Sequence, residues 1–485
     1  MAWWAEAALA WEYGVLAVGL ILAIWASGHA LAYKRDPRAA TLWIGLVWLL
    51  PVVGALLYSI LGVNRIRRWA VSLRADMQRV AAEEPTARCR AEQLTELLGD
   101  GREHLEDLAR TVDRVASRPL VRGNRVEPLI DGDEAFPFLL EAIRGAQRSI
   151  AVCTYIFDAD AVGLELAREL GEAVRRGVEV RVLIDATGVR YSWPPILGTL
   201  RREGVRHARF LRLFPIRRVL SMNLRNHRKI VVVDGRVGFT GGMNLRMGHW
   251  LGRRPRRPVR DVHFRLEGPV VAHLQEAFAE DWQFTTGEAL RGETWFPALP
   301  ERGPVAARGI ADGPDEDLDQ MRWVLLAALS AAKESVRIVT PYFLPEAALI
   351  AALNVAAMRG VRVDIVLPSR SNLPVVHGAS RAHWWQVLEH GCRIWLSPPP
   401  FDHTKLMVVD GAWAMFGSAN WDPRSLRLNF EFNVESYDTA LAGRLEAVVE
   451  EKRARAREVT LAEVDGRSMG VRLWDGVARL FTPFL

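Results

Sequence analysis

Two copies of one short motif hold the residues of this chain that could do chemistry. The first copy reads His-Arg-Lys-Ile-Val-Val-Val-Asp from His227 to Asp234, and the second reads His-Thr-Lys-Leu-Met-Val-Val-Asp from His403 to Asp410. Each is followed at the same offset by Gly-x-x-Asn, which ends at Asn244 or at Asn420. Two copies with the same tail are not a chance match. The chain is therefore predicted to contain two similar halves that share one site.

Each motif is predicted to place an imidazole and an ammonium group on one face of a strand. Side chains two positions apart on a strand point the same way, so His227 should lie beside Lys229, and His403 beside Lys405. This doubled pair suits a phosphate diester. One imidazole would attack phosphorus while the other protonates the leaving oxygen, and the lysines would hold the non-bridging oxygens.

The remaining motif residues are assigned around this pair. Asn244 and Asn420 are predicted to bind phosphate together with the lysines. Asp234 and Asp410 are included in the catalytic set, with the alternative that they hold only the hairpin and its lysine. A purely structural role for each histidine is the competing interpretation, and the duplication of the whole pattern disfavours it.

The sequence resembles the phospholipase D superfamily and, within it, the bacterial cardiolipin synthases. The resemblance covers nearly the whole chain and departs at Val259, where a Trp is expected before Arg-Asp. It implies an α/β fold of two pseudo-symmetric phospholipase D-like halves, with both motifs facing one central cleft. Besides the two motifs, it is carried by Gly123-Asn124, Asp131-Gly132, Tyr155-Ile156-Phe157, Arg225-Asn226, Arg260-Asp261, Glu267-Gly268-Pro269, Thr340-Pro341-Tyr342-Phe343 and Asn429-Phe430-Glu431.

The resemblance also implies a carboxylate partner for each imidazole. A carboxylate on Nδ1 fixes the tautomer, so that Nε2 faces phosphorus. On the family pattern, Asp261 is expected to serve His227, and Glu431 is expected to serve His403. The alternative is that both acids are ordinary surface or ion-paired side chains.

The implied activity is transfer of a phosphatidyl group between two phosphatidylglycerol molecules, which gives cardiolipin and glycerol. His227 would form a phosphatidyl-histidine intermediate and His403 would act as acid and base, with the mirror assignment left open. Hydrolysis to phosphatidic acid and phosphatidylethanolamine as donor are the alternatives. No cofactor and no metal are expected, because one diester is exchanged for another, two lysines can neutralise the phosphate, and no G-x4-G-K-[ST] loop occurs.

Composition narrows the range of partners. The 485-residue chain has a net charge of +6, which suits nucleic acid or an acidic membrane surface. Its three cysteines lack metal-ligand spacing, so neither a disulfide framework nor a zinc site is indicated. Two long apolar runs near the N-terminus favour the anionic membrane and make nucleic acid an unexpected partner. The oligomeric state is left open.

The apolar runs, Tyr13 to Tyr33 and Ala39 to Val63, are each long enough to span a bilayer. Residues 1–69 are therefore predicted to form a transmembrane helical hairpin in the bacterial inner membrane. Pro51 could kink the second run or make it re-entrant. The basic residues after the second run favour a cytoplasmic catalytic portion.

After the hairpin in the chain, residues 70–119 are predicted to be a charged helical linker on or near the membrane. Residues 120–305 and 306–485 form the two halves, in which helices alternate with strands. This alternation predicts a largely parallel sheet covered by helices.

Three further segments are predicted to meet lipid. Basic and apolar residues interleave in Arg206 to Arg225, where Arg212, Arg217 and Arg218 are candidate headgroup ligands, and again in Met247 to Arg260. At the C-terminus, Val471 to Leu485 forms an amphipathic helix. Its apolar face would either lie on the membrane or be buried in the protein, and it consists of Leu473, Trp474, Val477, Leu480 and Phe481.

Overall fold

The computed structural model describes residues 2–34, 37–62, 87–211, 224–314 and 318–482. The chain divides into two compact units, Met1–Trp69 and Ala70–Leu485.

The N-terminal unit begins with one long apolar helix, α1 (Ala2–Tyr33). Its stretch Trp11–Tyr33 has a mean hydropathy of 2.0 and is long and apolar enough to cross a membrane. At about 1.5 Å per residue it exceeds the roughly 30 Å of a bilayer core. The first predicted run is thus one continuous helix.

The second apolar run is broken and does not form the single helix predicted for it. It forms α2 (Pro37–Leu49), α3 (Pro51–Leu57) and a π-helical turn, Tyr58–Gly62. Leu50 leaves the helical region with φ −135° and ψ 75°, because proline disfavours a helical conformation in the residue before it. The kink foreseen at Pro51 is confirmed.

The second unit consists of two similar halves. The first half contains the strands β1 (Val121–Ile130), β2 (Ser149–Thr154), β3 (Glu179–Asp185), β4 (Arg206–Phe210), β5 (Arg225–Asn226), β6 (Ile230–Val233), β7 (Val237–Gly241), β8 (Val259–Arg260) and β9 (Val262–Glu267). The second half contains β10 (Val305–Asp312), β11 (Ser335–Val339), β12 (Arg362–Pro368), β13 (Arg393–Ser397), β14 (Phe401–Asp402), β15 (Leu406–Val409), β16 (Trp413–Gly417), β17 (Asn429–Tyr437) and β18 (Arg457–Val459).

Helices lie between and around these strands. In chain order they are α4 (Leu94–Leu98), α5 (His104–Val115), α6 (Asp131–Gly145), α7 (Ala161–Arg175), α8 (Leu197–Arg202), α9 (Val271–Thr286), α10 (Gln320–Ala331), α11 (Ala347–Met358), α12 (Pro374–Arg381), α13 (Trp384–Leu388), α14 (Pro423–Arg427), α15 (Thr439–Ala454), α16 (Leu461–Asp465) and α17 (Met469–Leu480).

One continuous sheet joins the two halves. Its order is β18-β13-β12-β11-β15-β16-β17-β10-β1-β9-β7-β6-β2-β3-β4. The order reads the same outward from the antiparallel β1–β10 pair in both directions, apart from the added edge strand β18. Phe264 and Phe416 stack across this seam with ring centroids 3.7 Å apart. The two halves therefore share a core.

The sheet is mixed, and the prediction of a largely parallel sheet is wrong. Parallel pairing joins β2 to β3 to β4 and β11 to β12 to β13. The central strands pair antiparallel, because each motif strand turns back on its successor at Asp234-Gly235 or Asp410-Gly411. These turns put both aspartates at positive φ, 54° and 51°.

The described part of the predicted linker is integral to the second half. Helix α5 forms as expected, but Leu105, Leu108, Ala109 and Val112 are buried in a cluster that includes residues of α10. Its apolar face is therefore covered by the second half, and the position of the segment on or near the membrane stays a prediction. Residues 70–86 lie outside the described residues.

Candidate active site

Strand exchange between the halves positions each motif histidine. Strand β5 leaves its own half and pairs in parallel with the start of β17, with Arg225 opposite Asn429 and Asn226 opposite Phe430. The backbone N–H of His227 then donates to the Phe430 carbonyl at 2.9 Å. The next residue of β17 is Glu431, which therefore lies beside the His227 ring.

The second motif uses the mirror of this arrangement. Strand β14 pairs in parallel with β8, with Phe401 opposite Val259 and Asp402 opposite Arg260. The backbone N–H of His403 donates to the Arg260 carbonyl at 2.8 Å. The carboxylate that follows Arg260 is Asp261.

Each imidazole thus takes its carboxylate from the opposite half. Nδ1 of His227 lies 2.9 Å from Oε1 of Glu431, and Nδ1 of His403 lies 3.0 Å from Oδ2 of Asp261. Both predicted acids do meet a histidine, but the predicted pairing is wrong, because β5 and β14 each cross to the other half. An N–H donated from Nδ1 leaves Nε2 free in both rings.

The two carboxylates have different surroundings. Ser418 Oγ and Asn429 Nδ2 both donate to Glu431. Burial alone would raise the pKa of Glu431, but His227, Lys229 and Ser418 hold that pKa below its usual value. Ser418 corresponds to Gly242 in the first half, where a Cβ would lie only 2.5 Å from the Asp261 carboxylate. Asp261 consequently lacks the hydroxyl donor that Glu431 has.

Asp261 is instead a buried acid whose carboxylate is less stabilised by side-chain hydrogen-bond donors. Its Oδ1 accepts from the backbone N–H of Val262 at 2.9 Å. Burial raises the pKa of Asp261 to about 6, although the nearby ammonium of Lys405 acts in the opposite direction. The two half-sites are therefore alike in geometry and unequal in electrostatics.

Both motif lysines are buried in the site. Lys229 Nζ donates to the His227 carbonyl at 2.7 Å, and Lys405 Nζ donates to the His403 carbonyl at 2.5 Å. Burial lowers the pKa of Lys229 to about 7 and that of Lys405 to about 8. The negative charges of Glu431 and Asp261, one from each half, act in the opposite direction and raise the pKa of each lysine.

The pKa shifts of the two histidines also show that the two motifs lie close together. The pKa of His227 is lowered to about 4, chiefly by burial and also by the charges of Lys229 and Lys405, against the opposing effect of Glu431. Burial, Lys405 and Lys229 together lower the pKa of His403 well below its usual value. A buried site with two such lysines is suited to an anion.

Asn244 and Asn420, the predicted phosphate ligands, are buried near the motif residues. Asn244 Oδ1 accepts from the backbone N–H of Ile156 at 3.2 Å, which leaves its amide N–H groups as donors. Asn244 and Lys229 both line a cavity of about 20 Å³, enough for about one water molecule. Asn420 Nδ2 instead donates to Ser425 Oγ at 3.2 Å. Their contact with phosphate stays a prediction.

Asp234 and Asp410 lie at the far end of the motif strands. The four residues of β6 separate Lys229 from Asp234, a distance of roughly 16 Å at about 3.3 Å per residue. The carboxylates instead accept three consecutive backbone N–H groups, from 147–149 for Asp234 and from 333–335 for Asp410. Asp410 also meets His104 Nε2 at 2.7 Å. These contacts match the hairpin-holding alternative, and a part of the two aspartates in the chemistry stays a prediction.

Two aromatic residues border the imidazoles, and no role was assigned to them from the sequence. The rings of Tyr155 and His227 are 5.2 Å apart, and Lys229 Nζ lies 5.6 Å from the Tyr155 centroid. Tyr342 lies 6.5 Å from His403 in the other half-site, although in sequence it corresponds to Ile156 and not to Tyr155. The repeat therefore gave no signal that both tyrosines border the imidazoles.

A third buried histidine in the site was missed. His249 lies five residues after Asn244, as Ser425 lies five after Asn420. Its Nε2 accepts from the backbone N–H of Asn244 at 3.4 Å, and its ring is 6.2 Å from that of His403. Burial lowers the pKa of His249 to about 3. A lone histidine outside the motif gave no sequence signal of this position.

The predicted lipid loops are only partly covered by the structure. Arg212, Arg217 and Arg218 fall within 212–223, outside the described residues. In the second loop Arg253 pairs with Glu165 at 2.8 Å and its guanidinium lies 3.8 Å from the Trp250 ring centroid. Among the residues that the structure describes, no three His, Cys, Asp or Glu side chains are grouped as metal ligands would be.

The crossed half-sites and the pseudo-symmetric sheet define a phospholipase D-like enzyme with two motifs in one site. The family model for "Cardiolipin synthase, PLD-like domain" matches residues 139–282 and 325–453. The model for "Phospholipase_D-nuclease N-terminal" matches residues 21–62.

Relatives of known name extend this match over the chain. Cardiolipin synthase A of Pseudomonas aeruginosa (strain LESB58) is 34% identical over 97% of this chain and 96% of its own length. Cardiolipin synthase 1 of Bacillus anthracis is 32% identical over 93% of this chain and 90% of its own. The chain belongs to the cardiolipin synthase family, and it is a phosphatidyltransferase of the phospholipase D type.

A solved structure shares the fold. The phosphatidylserine synthase of Haemophilus influenzae Rd KW20 aligns with a TM-score of 0.60 and 14% identity, over 78% of this chain and 100% of its own.

Proposed function

We propose that the enzyme joins two phosphatidylglycerol molecules into cardiolipin and releases glycerol, with both motifs acting on one phosphorus atom. The observation that carries this proposal is the crossed pair of imidazole–carboxylate contacts beside two buried lysines. Family membership supports the same reaction. Phosphatidylglycerol is the donor and the acceptor, and the product is cardiolipin.

In the first step, Nε2 of His227 attacks the phosphorus of one phosphatidylglycerol. A P–N bond forms and the bond to the glycerol oxygen breaks, while His403 supplies a proton to that oxygen. His227 is assigned as the nucleophile because its partner Glu431 accepts two further hydrogen bonds that keep it an anion, so the ring donates from Nδ1 and the Nε2 lone pair faces phosphorus. Glu431, held as an anion by Ser418 and Asn429, balances the positive charge that the ring acquires.

His403 is the better proton carrier. Its partner Asp261 has a pKa raised to about 6, so the pair can share a proton near neutral pH. The negative charge of bound phosphate favours the protonated form of His403. The acceptor hydroxyl of the second phosphatidylglycerol then returns that proton to His403 and attacks phosphorus, which breaks the P–N bond.

Lys229, Lys405 and Asn244 hold the non-bridging oxygens through both steps. The two ammonium groups offset the charge of the phosphate within a buried site, where such contacts are strong. Asp234 and Asp410 hold the polypeptide around the lysines and take no part in the chemistry. The exchange of one phosphodiester for another is close to balanced and needs no cofactor or metal.

The enzyme acts at a membrane, because both substrates are bilayer lipids. The stretch Trp11–Tyr33 anchors the enzyme, and the broken second run returns into the membrane, in a multi-pass arrangement with the catalytic unit on the cytoplasmic side of the bacterial inner membrane. An anionic membrane fits the positive net charge, and nucleic acid is not a partner.

Incubation of the purified full-length enzyme with phosphatidylglycerol alone tests the proposal. We expect cardiolipin and glycerol in equal amounts, and none from His227→Ala or His403→Ala. His390→Ala, at an exposed histidine, is the matched control and should keep full activity. Phosphatidic acid as the main product would contradict the synthase reaction, and near-full activity of either motif variant would contradict the assigned residues.

A further inference from the structure

Helix α17 presents its apolar residues to solvent. Met469 is 67% exposed, Leu473 63% and Leu480 73%. At about 100° per residue these three, with Trp474, Val477 and Phe481 beside them, occupy one arc of roughly 140°. Trp474, Val477 and Phe481 are also exposed. We call these six side chains the outer face of α17.

The inner side of α17 is polar, and it fixes the helix in this orientation. Asp475, the only acidic residue of the helix, is buried and accepts from Arg381 NH2 at 2.6 Å. A second cation, Arg467 NH1, lies 3.5 Å from the same carboxylate. Rotating α17 to bury its apolar residues would expose this ion-paired carboxylate and break both contacts.

Close packing against α12 adds to this constraint. A Cβ at Gly378 of α12 would lie 2.8 Å from Trp474 Nε1 and 3.1 Å from the Ala478 Cβ. A larger residue at position 378 would have to displace one of these side chains, so the two helices approach closely here. The outer face is held outward by specific contacts on the inner side.

Such a face favours a covering partner, because six large apolar side chains exposed side by side are uncommon in a protein that meets only water. Two observations favour a bilayer over another protein. The exposed residues Arg472 and Arg479 lie between the outer face and Asp475, and Asp475, the one acid of the helix, is buried, so the exposed charge of α17 is positive and complements anionic headgroups. The twelve-residue helix is about 18 Å long, too short to span a bilayer and long enough to lie within its interface.

The surroundings of α17 fit a lipid-facing surface. A cavity of about 290 Å³ opens at its C-terminal end, lined by Arg479 and Thr482 together with Leu344, Ile350 and Leu426. Leu426 belongs to α14, which begins three residues after the motif residue Asn420. A bilayer on the outer face would therefore lie next to this cavity, which has both apolar and charged lining residues and adjoins the second half-site.

We propose that α17 is a membrane-docking helix whose outer face inserts into the interface of an anionic phospholipid bilayer. The proposal rests on the proposed function for its purpose, which is to hold the catalytic unit against the membrane that contains its substrates. The N-terminal span would anchor the chain, and α17 would set a second, separate contact of the catalytic unit.

A spin label at residue 477 tests the docking in the full-length enzyme. The three native cysteines are buried, so Val477→Cys gives one reactive thiol on the outer face, and Ala462→Cys on the exposed side of α16 gives the control. In vesicles of phosphatidylglycerol and phosphatidylcholine, we expect the label at 477 to collide more with oxygen than with a water-soluble nickel complex. The label at 462 should show the reverse.

Two results would overturn the proposal. A label at 477 that the nickel complex reaches as readily as the label at 462 would mean that the face stays in water. A label shielded from both reagents in detergent, before any vesicle is added, would mean that a second copy or another part of the chain covers the face. Neither result depends on whether the enzyme makes cardiolipin, so the proposed function stands or falls separately.

An activity measurement provides a second test of the docking proposal. Leu473→Ser with Val477→Ser changes only exposed side chains, and we expect about a fivefold or larger loss of activity on phosphatidylglycerol in vesicles, with less than about a twofold change on detergent-dispersed substrate. Leu164→Ser, at an exposed leucine of the first half, is the matched control and should change neither. Equal losses on both substrate forms, or no loss on vesicles, would contradict docking.

Discussion

His227 donates from Nδ1 to Glu431, a carboxylate 204 residues further along the chain, at 2.9 Å. The reciprocal contact joins His403 to Asp261 across 142 residues. Neither half can therefore complete its own imidazole–carboxylate pair. The active site depends on the seam between the halves, and a fragment containing only one half would lack both pairs.

The crossed pairing predicts which acid controls which histidine. Glu431→Gln should lower activity by about 10- to 100-fold, because it removes the anion that orients the nucleophilic ring. The same change should slow carbethoxylation of His227 by diethylpyrocarbonate, measured by peptide mass spectrometry, and leave His403 unaffected. Asp261→Asn should do the reverse. If Asp261→Asn slowed the modification of His227 instead, the crossed assignment would be wrong.

Asp234 and Asp410 should matter for stability and little for chemistry. Replacing either by Ala leaves three backbone N–H groups without their acceptor, and we expect a loss of about 2–4 kcal/mol in the free energy of unfolding. Asp410→Ala should be the more costly change, because His104 also loses its partner. Thermal unfolding followed by circular dichroism measures the effect. A variant of unchanged stability that has lost activity would show that the aspartate takes part in the chemistry.

The buried lysines predict a loss of activity on the alkaline side. An ammonium group is charged below its pKa, and the pKa values of Lys229 and Lys405 are about 7 and about 8. As pH rises from 6 to 9, the free enzyme loses the cations that bind phosphate, so kcat/KM should fall through this window. The value of kcat should fall at higher pH, because bound phosphate stabilises the ammonium forms. A kcat/KM that stays level to pH 10 would contradict the placement of these charges.

His249 should act as a positioning residue for Asn244. Its Nε2 accepts the Asn244 backbone N–H, so His249→Ala should raise KM and lower kcat/KM by about tenfold. His249→Gln supplies another acceptor and should recover most of the loss. The pH profile should not change, because a ring with a pKa of about 3 stays neutral throughout. If both variants lost activity alike and the profile moved, His249 would be taking part in proton transfer.

Much of this fold follows from local sequence signals. The duplicated motif, the apolar runs after Lys229 and Lys405 and the helical spacing of Leu105 and Leu108 predict elements that the structure contains. The signal is local in each case, because the period of apolar residues and the turn residue Asp-Gly act over a few positions.

The features that sequence reasoning missed are long-range. The crossing of β5 and β14 depends on two-residue strand pairings between segments about 200 and 140 residues apart, which no local pattern specifies. The burial of α5 against α10 was not predicted for the same reason, because the apolar face of an amphipathic helix does not specify which surface covers it. Asp234 was placed in the catalytic set because it belongs to the motif, with a hairpin-holding role as the alternative, and the structure places it at the far end of β6 from His227.

The most direct test of the proposed mechanism is to locate the phosphatidyl-enzyme bond. The enzyme is mixed with phosphatidylglycerol, quenched at alkaline pH within one turnover and mapped by peptide mass spectrometry. We expect the phosphatidyl group on Nε2 of His227. In His403→Asn it should form more slowly, because the leaving glycerol lacks its acid, and persist longer, because the acceptor hydroxyl lacks its base; it should be absent from His227→Asn. A phosphatidyl group on His403 in the wild-type enzyme, or its formation in His227→Asn, would contradict the assignment of His227 as the nucleophile.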